Sequence, residues 1–220
     1  MRLRAIAYAV GGVAAVMLLG GGALFGPELY NGYRLEKALD QQFEAAQADG
    51  GPWPQFARSC YGCHGPQGRS ANAQYPALAG LPAHYLESQL RAFAGGQRHS
   101  PFMGPLARNL RDEHIKTLAT YYARQTPHQN ESVPSDAALG AKGLATARAR
   151  GCVACHGEGL KGKDLAPRLA GQGEAYLAQQ LTAFKTGQRR DATGAMSSVA
   201  ANLPDDEVLA MARYLASLSP

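Results

Sequence analysis

The sequence predicts an all-α fold in which two homologous domains follow one another, preceded by an N-terminal transmembrane helix. No stretch alternates apolar and polar residues as a half-buried strand would, whereas apolar residues recur at helical spacing along much of the chain. One set of features occurs twice, at an offset that stays between 91 and 93 residues. An uncharged segment of 22 residues, from Ala5 to Gly26, is long enough to span a bilayer as a helix.

Residues 1–26 are predicted to be a membrane anchor. Arg2 and Arg4 precede the uncharged segment, and by the positive-inside rule they stay cytoplasmic, which places the following residues in the periplasm. The small residues Gly21 and Ala23 leave a cleavable signal peptide open as an alternative. Because the segment is longer than the usual apolar core of a signal peptide, we expect an uncleaved anchor in the bacterial inner membrane.

Residues 27–51 are predicted to form an amphipathic helix that connects the anchor to the rest of the chain. Pro27 and Glu28 suit a helix start, and Gly50-Gly51-Pro52 ends the pattern. A merely solvated linker helix fits the same spacing equally well.

All four cysteines of the chain lie in two copies of one five-residue motif. The first copy is Cys60-Tyr61-Gly62-Cys63-His64 and the second is Cys152-Val153-Ala154-Cys155-His156. C-x-x-C-H is the attachment signature of c-type haem, in which each thiol bonds a haem vinyl group and the histidine ligates the iron. The sequence therefore predicts two covalently bound haem c groups, one held by Cys60, Cys63 and His64 and the other by Cys152, Cys155 and His156.

Two other functions of a C-x-x-C pair fit less well. A zinc site of four thiolates would use both pairs together and would leave both motif histidines unexplained. A thioredoxin-like dithiol site needs a βαβ context, and the sequence has no strand pattern to supply one.

The two motifs define two domains of similar length. We place the first domain at residues 52–126, a linker at 127–137 and the second domain at 138–220. The linker is polar and contains Pro127 and Pro134. Aromatic residues make up only 8% of the chain, so the side chains of each half form only a small hydrophobic core. A covalently held haem would enlarge this core, because the macrocycle is itself a large apolar group.

Helices near 82–95 and 111–125 are predicted in the first domain from the spacing of apolar residues. The second domain repeats these features nearly position for position, which indicates duplication of a whole domain. The matching segments are Pro76-Ala77-Leu78-Ala79-Gly80 with Pro167-Arg168-Leu169-Ala170-Gly171, the pattern Y-L-x-x-Q-L-x-x-F starting at Tyr85 and at Tyr176, and Gly96-Gln97-Arg98 with Gly187-Gln188-Arg189.

Met103 and Met196 are the predicted sixth ligands of the two irons. Of the five methionines, only this pair occupies equivalent positions of the repeat, in a loop just before the last helix of each domain. A single methionine is more often a core residue. Met211 aligns with Leu118 and is predicted to be such a core residue. His99 is a rival ligand in the first domain, but it has no counterpart in the second, so we expect it at the surface with the other unpaired histidines, His84, His114 and His128.

Two further pairs are predicted to support the haem groups. The carbonyl oxygen of Pro76 or Pro167 is expected to accept a hydrogen bond from the second ring nitrogen of the proximal histidine. Arg98 and Arg189 recur beside the methionines and are expected to pair with haem propionates, although a solvated arginine is the alternative.

The net charge of +5 is concentrated in one part of the chain. Residues 52–130 carry eight basic and three acidic groups, whereas residues 131–220 carry ten and nine. The excess is either an ordinary solvated surface or a docking face for an acidic partner. Nucleic-acid binding is not expected, because no basic run with interleaved aromatic residues is present.

The doubled pattern of C-x-x-C-H-G, P-x-L-A-G, Y-L-x-x-Q-L-x-x-F, G-Q-R and a downstream methionine resembles the dihaem cytochrome c4 family. The match covers about residues 57–218. One departure is Leu81-Pro82 in the first domain, where the second domain has the more family-like Gln172-Gly173. The other is the apparent retention of the N-terminal anchor.

This resemblance implies two tandem cytochrome c domains related by pseudo-twofold symmetry, with haems close enough for fast internal electron transfer. It also implies a respiratory carrier, bringing electrons from a quinol–cytochrome c reductase to a terminal oxidase, with no enzyme activity of its own. A cytochrome subunit of a larger membrane oxidoreductase or supercomplex is the alternative. A dihaem peroxidase is disfavoured, because it needs an iron without a strong sixth ligand.

Overall fold

The computed structural model describes residues 57–130, 136–163 and 165–220, together with residues 30, 32–34 and 37, which lie in a helix. Within these ranges the chain consists of helices and loops without a named strand, as the sequence predicts. The chain divides into two units, 1–48 and 49–220, and the second contains both copies of the repeat. The predicted anchor at 1–26 lies outside the described residues. Among the helices that are described, none combines the length and the apolar character needed to cross a bilayer.

The first domain contains four described helices. They are α1 (Arg58–His64), α2 (Ala83–Ala94), α3 (Met103–Arg108) and α4 (Asp112–Ala123), with a 3-10 turn at Pro66–Gly68 after α1. The helices predicted near 82–95 and 111–125 are confirmed as α2 and α4 to within two residues at each end.

In the second domain the same order of helices follows one further helix. Its helices are α5 (Ala137–Ala149), α6 (Cys152–His156), α7 (Glu174–Lys185), α8 (Ala195–Ala200) and α9 (Asp205–Ser217), with a 3-10 turn at Glu158–Leu160. Helix α5 has no predicted counterpart in the sequence analysis. It begins where the side chain of Asp136, at the end of the predicted linker, accepts a hydrogen bond of 2.9 Å from the backbone N–H of Leu139.

Each domain packs two long helices around a small apolar core, α2 and α4 in the first domain and α7 and α9 in the second. In the first domain Leu86 of α2 lies against Leu118 and Tyr122 of α4. In the second domain Leu181 of α7 lies against Met211 of α9. Met211 is only 2% exposed, which confirms that it is a core residue.

The predicted loops that contain Met103 and Met196 are instead short helices, and this corrects the sequence analysis. Met103 is the first residue of α3 and Met196 is the second residue of α8. In both helices an upstream side chain accepts a hydrogen bond from a backbone N–H of the first turn. The hydroxyl oxygen of Ser100 accepts a hydrogen bond from the N–H of Met103 at 3.1 Å, and a carboxylate oxygen of Asp191 accepts one from the N–H of Met196 at 3.1 Å.

Helix α5 crosses α9 at a point where only glycine fits. A Cβ atom built on Gly143 would overlap the carbonyl oxygen of Ala210 and lie 2.6 Å from the Cβ of Tyr214. A Cβ on Gly140, one turn earlier in the same helix, meets nothing within 4 Å.

We therefore expect Gly143→Ala to lower the free energy of unfolding by about 1–3 kcal/mol, because the added methyl group forces the two helices apart. Gly140→Ala is the matched control and should raise the free energy of unfolding by up to about 1 kcal/mol through helix propensity. Thermal unfolding of the haem-loaded protein, followed by circular dichroism, measures both. Equal effects of the two substitutions would contradict the close approach at Gly143.

Candidate haem-binding sites

Each C-x-x-C-H motif forms a short helix. In α1, Cys60, Cys63 and His64 stand at positions i, i+3 and i+4, which places them on one side of the helix. Helix α6 presents Cys152, Cys155 and His156 in the same way. A glycine with positive φ then ends each helix, Gly65 at +72° and Gly157 at +76°. The four cysteines are all free of disulfides.

The two motif histidines are buried and held by one hydrogen bond each. His64 is 7% exposed and His156 is 6% exposed. Nδ1 of His64 donates to the carbonyl oxygen of Pro76 at 2.8 Å, and Nδ1 of His156 donates to that of Pro167 at 2.8 Å. A carbonyl can only accept, so Nδ1 carries the proton and Nε2 keeps its lone pair. The hydrogen bonds predicted from the repeat are therefore present, and they leave each imidazole ready to ligate a metal through Nε2.

Burial also sets the charge of these histidines. It lowers the pKa of His64 and of His156, because an imidazolium loses its hydration in the domain interior, and the bond to the proline carbonyl only partly opposes this. Both rings are then neutral at neutral pH, the form that binds iron.

The two proline carbonyls are fixed by the same backbone arrangement. The N–H groups of Leu78 and Ala79 both donate to the carbonyl oxygen of Gly68, at 2.8 and 3.2 Å. Gly80 then donates to the carbonyl oxygen of Tyr122 in α4 at 2.9 Å, which ties the loop to the last helix.

The second domain repeats these bonds. Leu169 and Ala170 donate to Leu160, at 2.9 and 3.1 Å, and Gly171 donates to Leu215 in α9 at 3.0 Å. Both Gly80 and Gly171 have a φ of +69°, which explains the repeated glycine.

The two predicted axial methionines lie at equivalent, half-buried places. Met196 packs against the core of the second domain, which Cys152 of the motif also contacts. Among the rival histidines, His84, His99 and His128 are exposed, in agreement with the sequence analysis. His114 is half-buried, and its Nε2 lies 2.8 Å from the guanidinium of Arg111.

Arg98 and Arg189 meet at the contact between the two domains. Arg98 donates to Gln89 (2.8 Å), Gln180 (2.9 Å) and the hydroxyl of Tyr176 (3.1 Å). Arg189 makes the matching bonds to Gln180 (2.9 Å), Gln89 (3.1 Å) and the hydroxyl of Tyr85 (3.1 Å). We call these six residues the arginine cluster. Each arginine thus reaches across to the tyrosine and glutamine of the other domain, a pairing that the sequence analysis did not predict.

The arginine cluster brings the two guanidinium groups of Arg98 and Arg189 together where solvent has little access. The guanidinium carbons of Arg98 and Arg189 each lie 4.5 Å from the ring centre of a phenylalanine, Phe93 and Phe184 respectively. In the part of the chain that is described, no carboxylate forms an ion pair with either group. The two tyrosines of the cluster shift in opposite directions: burial raises the pKa of Tyr85, whereas the charges of the two arginines outweigh burial and lower the pKa of Tyr176. Two guanidinium groups without a carboxylate partner among the described residues favour an anion, as the predicted pairing with a haem propionate requires.

A second set of polar contacts joins the domains, and sequence reasoning missed it. The side-chain amide of Gln172 binds the backbone of Ala77 twice: its oxygen accepts from the N–H at 2.9 Å and its nitrogen donates to the carbonyl at 2.7 Å. The buried guanidinium of Arg168 donates to the carbonyl of Ala79 at 3.1 Å. Asn130 donates to the carbonyl of Tyr75 at 2.9 Å. The signals in the sequence are the two places where the repeat departs from itself, Leu81-Pro82 against Gln172-Gly173 and Ala77 against Arg168.

The residues present fit a haem in each domain and do not fit the zinc alternative. Each domain presents two thiols, a neutral buried imidazole with a free Nε2 and an equivalent methionine. Within the described ranges, which include all four cysteines, no group of three or more His, Cys, Asp or Glu side chains comes together as a metal cluster would require. The two thiol pairs are therefore not assembled into one site of four thiolates.

Known proteins resemble this chain over both domains. A family model described as cytochrome c matches residues 54–124 and 140–219. A thiosulfate dehydrogenase electron acceptor from Thiomonas intermedia (strain K12) is 39% identical over 195 residues, covering 83% of this chain and 89% of that protein. A cytochrome c4 from Thiocapsa roseopersicina is 37% identical over 168 residues, covering 73% of this chain and 87% of that protein.

Two solved structures share the fold. Reduced recombinant cytochrome c4 from Pseudomonas stutzeri has a TM-score of 0.67 at 30% identity, covering 80% of this chain and 98% of that one. The as-isolated form of thiosulfate dehydrogenase (TsdBA) from Marichromatium purpuratum has a TM-score of 0.66 at 37% identity over 73% of this chain, which spans only 36% of that structure. The chain therefore belongs to the cytochrome c family, as a cytochrome c4-like electron carrier with two covalently bound haem c groups.

Proposed function

We propose that this dihaem cytochrome accepts electrons from a thiosulfate dehydrogenase in the periplasm and delivers them towards a terminal oxidase. The observation that carries the donor is the similarity, over 83% of the chain, to a protein named as the electron acceptor of that enzyme. A second relative with the same name, from Stutzerimonas stutzeri (strain A1501), is 36% identical over 82% of the chain.

A second donor has support of its own. The similarity to cytochrome c4 proteins, at 37% identity for that of Thiocapsa roseopersicina, favours a quinol–cytochrome c reductase as the electron source.

The alternative of a subunit in a larger membrane oxidoreductase is supported by the Marichromatium purpuratum structure, in which a region similar to this chain forms part of a longer thiosulfate dehydrogenase chain. Purification in mild detergent separates these cases: stoichiometric co-purifying subunits identify a complex, whereas a single species identifies a free carrier.

The site residues act in four roles in this proposal. Cys60, Cys63, Cys152 and Cys155 would hold the haems covalently, and His64 with Met103 and His156 with Met196 would ligate the two irons. Haem iron between histidine and methionine supplies one-electron chemistry at a potential raised by the thioether. The carbonyls of Pro76 and Pro167 orient the histidines. Arg98 and Arg189 neutralise propionates within the arginine cluster.

The N-terminal segment is proposed to anchor the carrier in the inner membrane, with both haem domains on the periplasmic side. Its 22 uncharged residues behind Arg2 and Arg4 support this placement. An uncleaved anchor predicts that the protein stays in the membrane fraction after a high-salt wash and retains its N-terminal residues, as protein sequencing will show. Release into the soluble periplasm would indicate a cleaved signal peptide instead.

Met103→Ala is expected to lower the potential of the first-domain haem and to open its sixth coordination position, leaving the second haem unchanged. About half of the spectral signal of methionine-ligated haem should disappear, and the reduced variant should bind carbon monoxide at one haem only, because the two ligand sets are separate. Met196→Ala should do the same for the other haem. Optical redox titration measures both, and a change at both haems in either variant would contradict separate ligation.

Reduction by a thiosulfate dehydrogenase provides the test of the donor. Stopped-flow mixing with the enzyme and thiosulfate should reduce the cytochrome much faster than thiosulfate alone. No acceleration by the enzyme would remove this donor and leave the quinol–cytochrome c reductase as the candidate.

The basic first domain predicts how that reaction depends on salt. If its charge docks an acidic partner, the second-order rate should fall by about tenfold or more from low to high ionic strength. Arg108→Gln, at an exposed site in the first domain, should slow the reaction at low salt. The matched control Arg148→Gln, at an exposed site in the second domain, should not. A rate independent of salt would exclude electrostatic docking.

A further inference from the structure

The contact between the two domains is unequal, although the domains themselves are repeats. Segment 75–79 of the first domain is held by side chains from outside that domain: Asn130 binds the carbonyl of Tyr75, Gln172 binds both backbone groups of Ala77, and Arg168 binds the carbonyl of Ala79. We call these three side chains the interdomain clamp. All three are nearly inaccessible to solvent, with exposures of 3%, 3% and 2%.

The repeat cannot form the same clamp in the opposite direction. The position equivalent to Gln172 is Leu81, which has no amide, and its side chain is buried in the core of the first domain. The position equivalent to Arg168 is Ala77, whose methyl side chain has no hydrogen-bond donor. The second domain therefore binds the backbone of the first through side chains that the first domain does not possess.

The backbone also approaches more closely on this side. Tyr176, in the first turn of α7, donates from its N–H to the carbonyl of Ala73 at 2.9 Å. A Cβ at Gly173 would overlap that same carbonyl. The equivalent residue in the first domain is Pro82. A residue without a Cβ is therefore needed at this position of the second domain, where it faces the carbonyl of Ala73, and not at the equivalent position of the first.

The clamped segment is the one that orients His64. Pro76, whose carbonyl accepts the hydrogen bond from Nδ1 of His64, stands between Tyr75 and Ala77. The N–H of Ala77, from which the side-chain oxygen of Gln172 accepts a hydrogen bond at 2.9 Å, belongs to the same planar peptide unit as the Pro76 carbonyl. Holding this N–H therefore holds the direction of the Pro76 carbonyl. In a haem protein this hydrogen bond raises the basicity of the histidine and so favours the oxidised iron.

We propose that Gln172, a residue of the second domain, is a positioning residue for the proximal histidine of the first-domain haem. It keeps the Pro76 carbonyl directed at Nδ1 of His64 and thereby holds the potential of that haem below the value it would otherwise have. The second-domain haem has no such control from the first domain, because Leu81 stands where the amide would be.

The test is Gln172→Leu, which places in the second domain the residue that the first domain already has at this position. We expect the potential of the first-domain haem to rise while that of the second-domain haem is unchanged. The Nδ1–H of His64 should also exchange with solvent about tenfold faster by nuclear magnetic resonance, because two buried hydrogen bonds that restrain its acceptor are lost. The matched control Gln188→Leu, at an exposed glutamine of the same domain, should change neither quantity.

The two haems are distinguished by repeating the redox titration in a Met196→His background, in which two histidine ligands move the second-domain haem to a much lower potential. Should Gln172→Leu fail to accumulate folded, Asn130→Ala removes only the bond to Tyr75 and should shift the same haem in the same direction by a smaller amount. An unchanged potential and an unchanged exchange rate at the first haem, or a shift confined to the second haem, would overturn the proposal. A role limited to stability would lower the unfolding temperature without moving either potential.

Discussion

The hydrogen bond from a buried histidine to a proline carbonyl is the constraint on which both domains depend. A buried imidazole without a partner for Nδ1 would be unstable, and an imidazole held in the wrong tautomer would offer no lone pair at Nε2. The proline carbonyl solves both problems at a distance of 2.8 Å in each domain. The carbonyl is fixed in turn, because the following glycine, Gly80 or Gly171, bonds to the last helix of its domain. The orientation of the metal ligand is thus set by the packing of the whole domain.

Duplication explains how one chain holds two such sites, and the two domains are joined both by contacts that are repeated and by contacts that are not. Features that serve a single domain are repeated: the motif helix, the glycine after the loop and the methionine that begins the next short helix. The arginine cluster is also repeated. Arg98 donates to Tyr176 and Gln180 of the second domain, and Arg189 donates to Tyr85 and Gln89 of the first. The interdomain clamp is not repeated, and it is therefore the part of the contact that makes the two halves unequal.

Long, regular elements were predictable and short ones were not. Helices α2 and α4 follow from apolar residues at helical spacing, because each buries one face against the core. Helix α5 is not predicted, because alanine and glycine occupy most of its positions and its buried and exposed faces differ little in hydrophobicity. Helices α3 and α8 differ from the predicted loops because they are only six residues long, and Ser100 and Asp191, which accept hydrogen bonds from their first N–H groups, are residue types that also suit loops.

The sequence by itself determined the chemistry of the sites. The spacing of Cys60, Cys63 and His64 is a local property of one helical turn, and the repeat singled out Met103 and Met196 from the other methionines. Only the tertiary structure decided what Arg98, Arg189 and Gln172 bind. The partners of Gln172 lie 95 residues away along the chain, and those of the arginines in the other domain lie up to 104 residues away. Such contacts depend on how two folded domains pack together, and local spacing in a sequence carries no record of that packing.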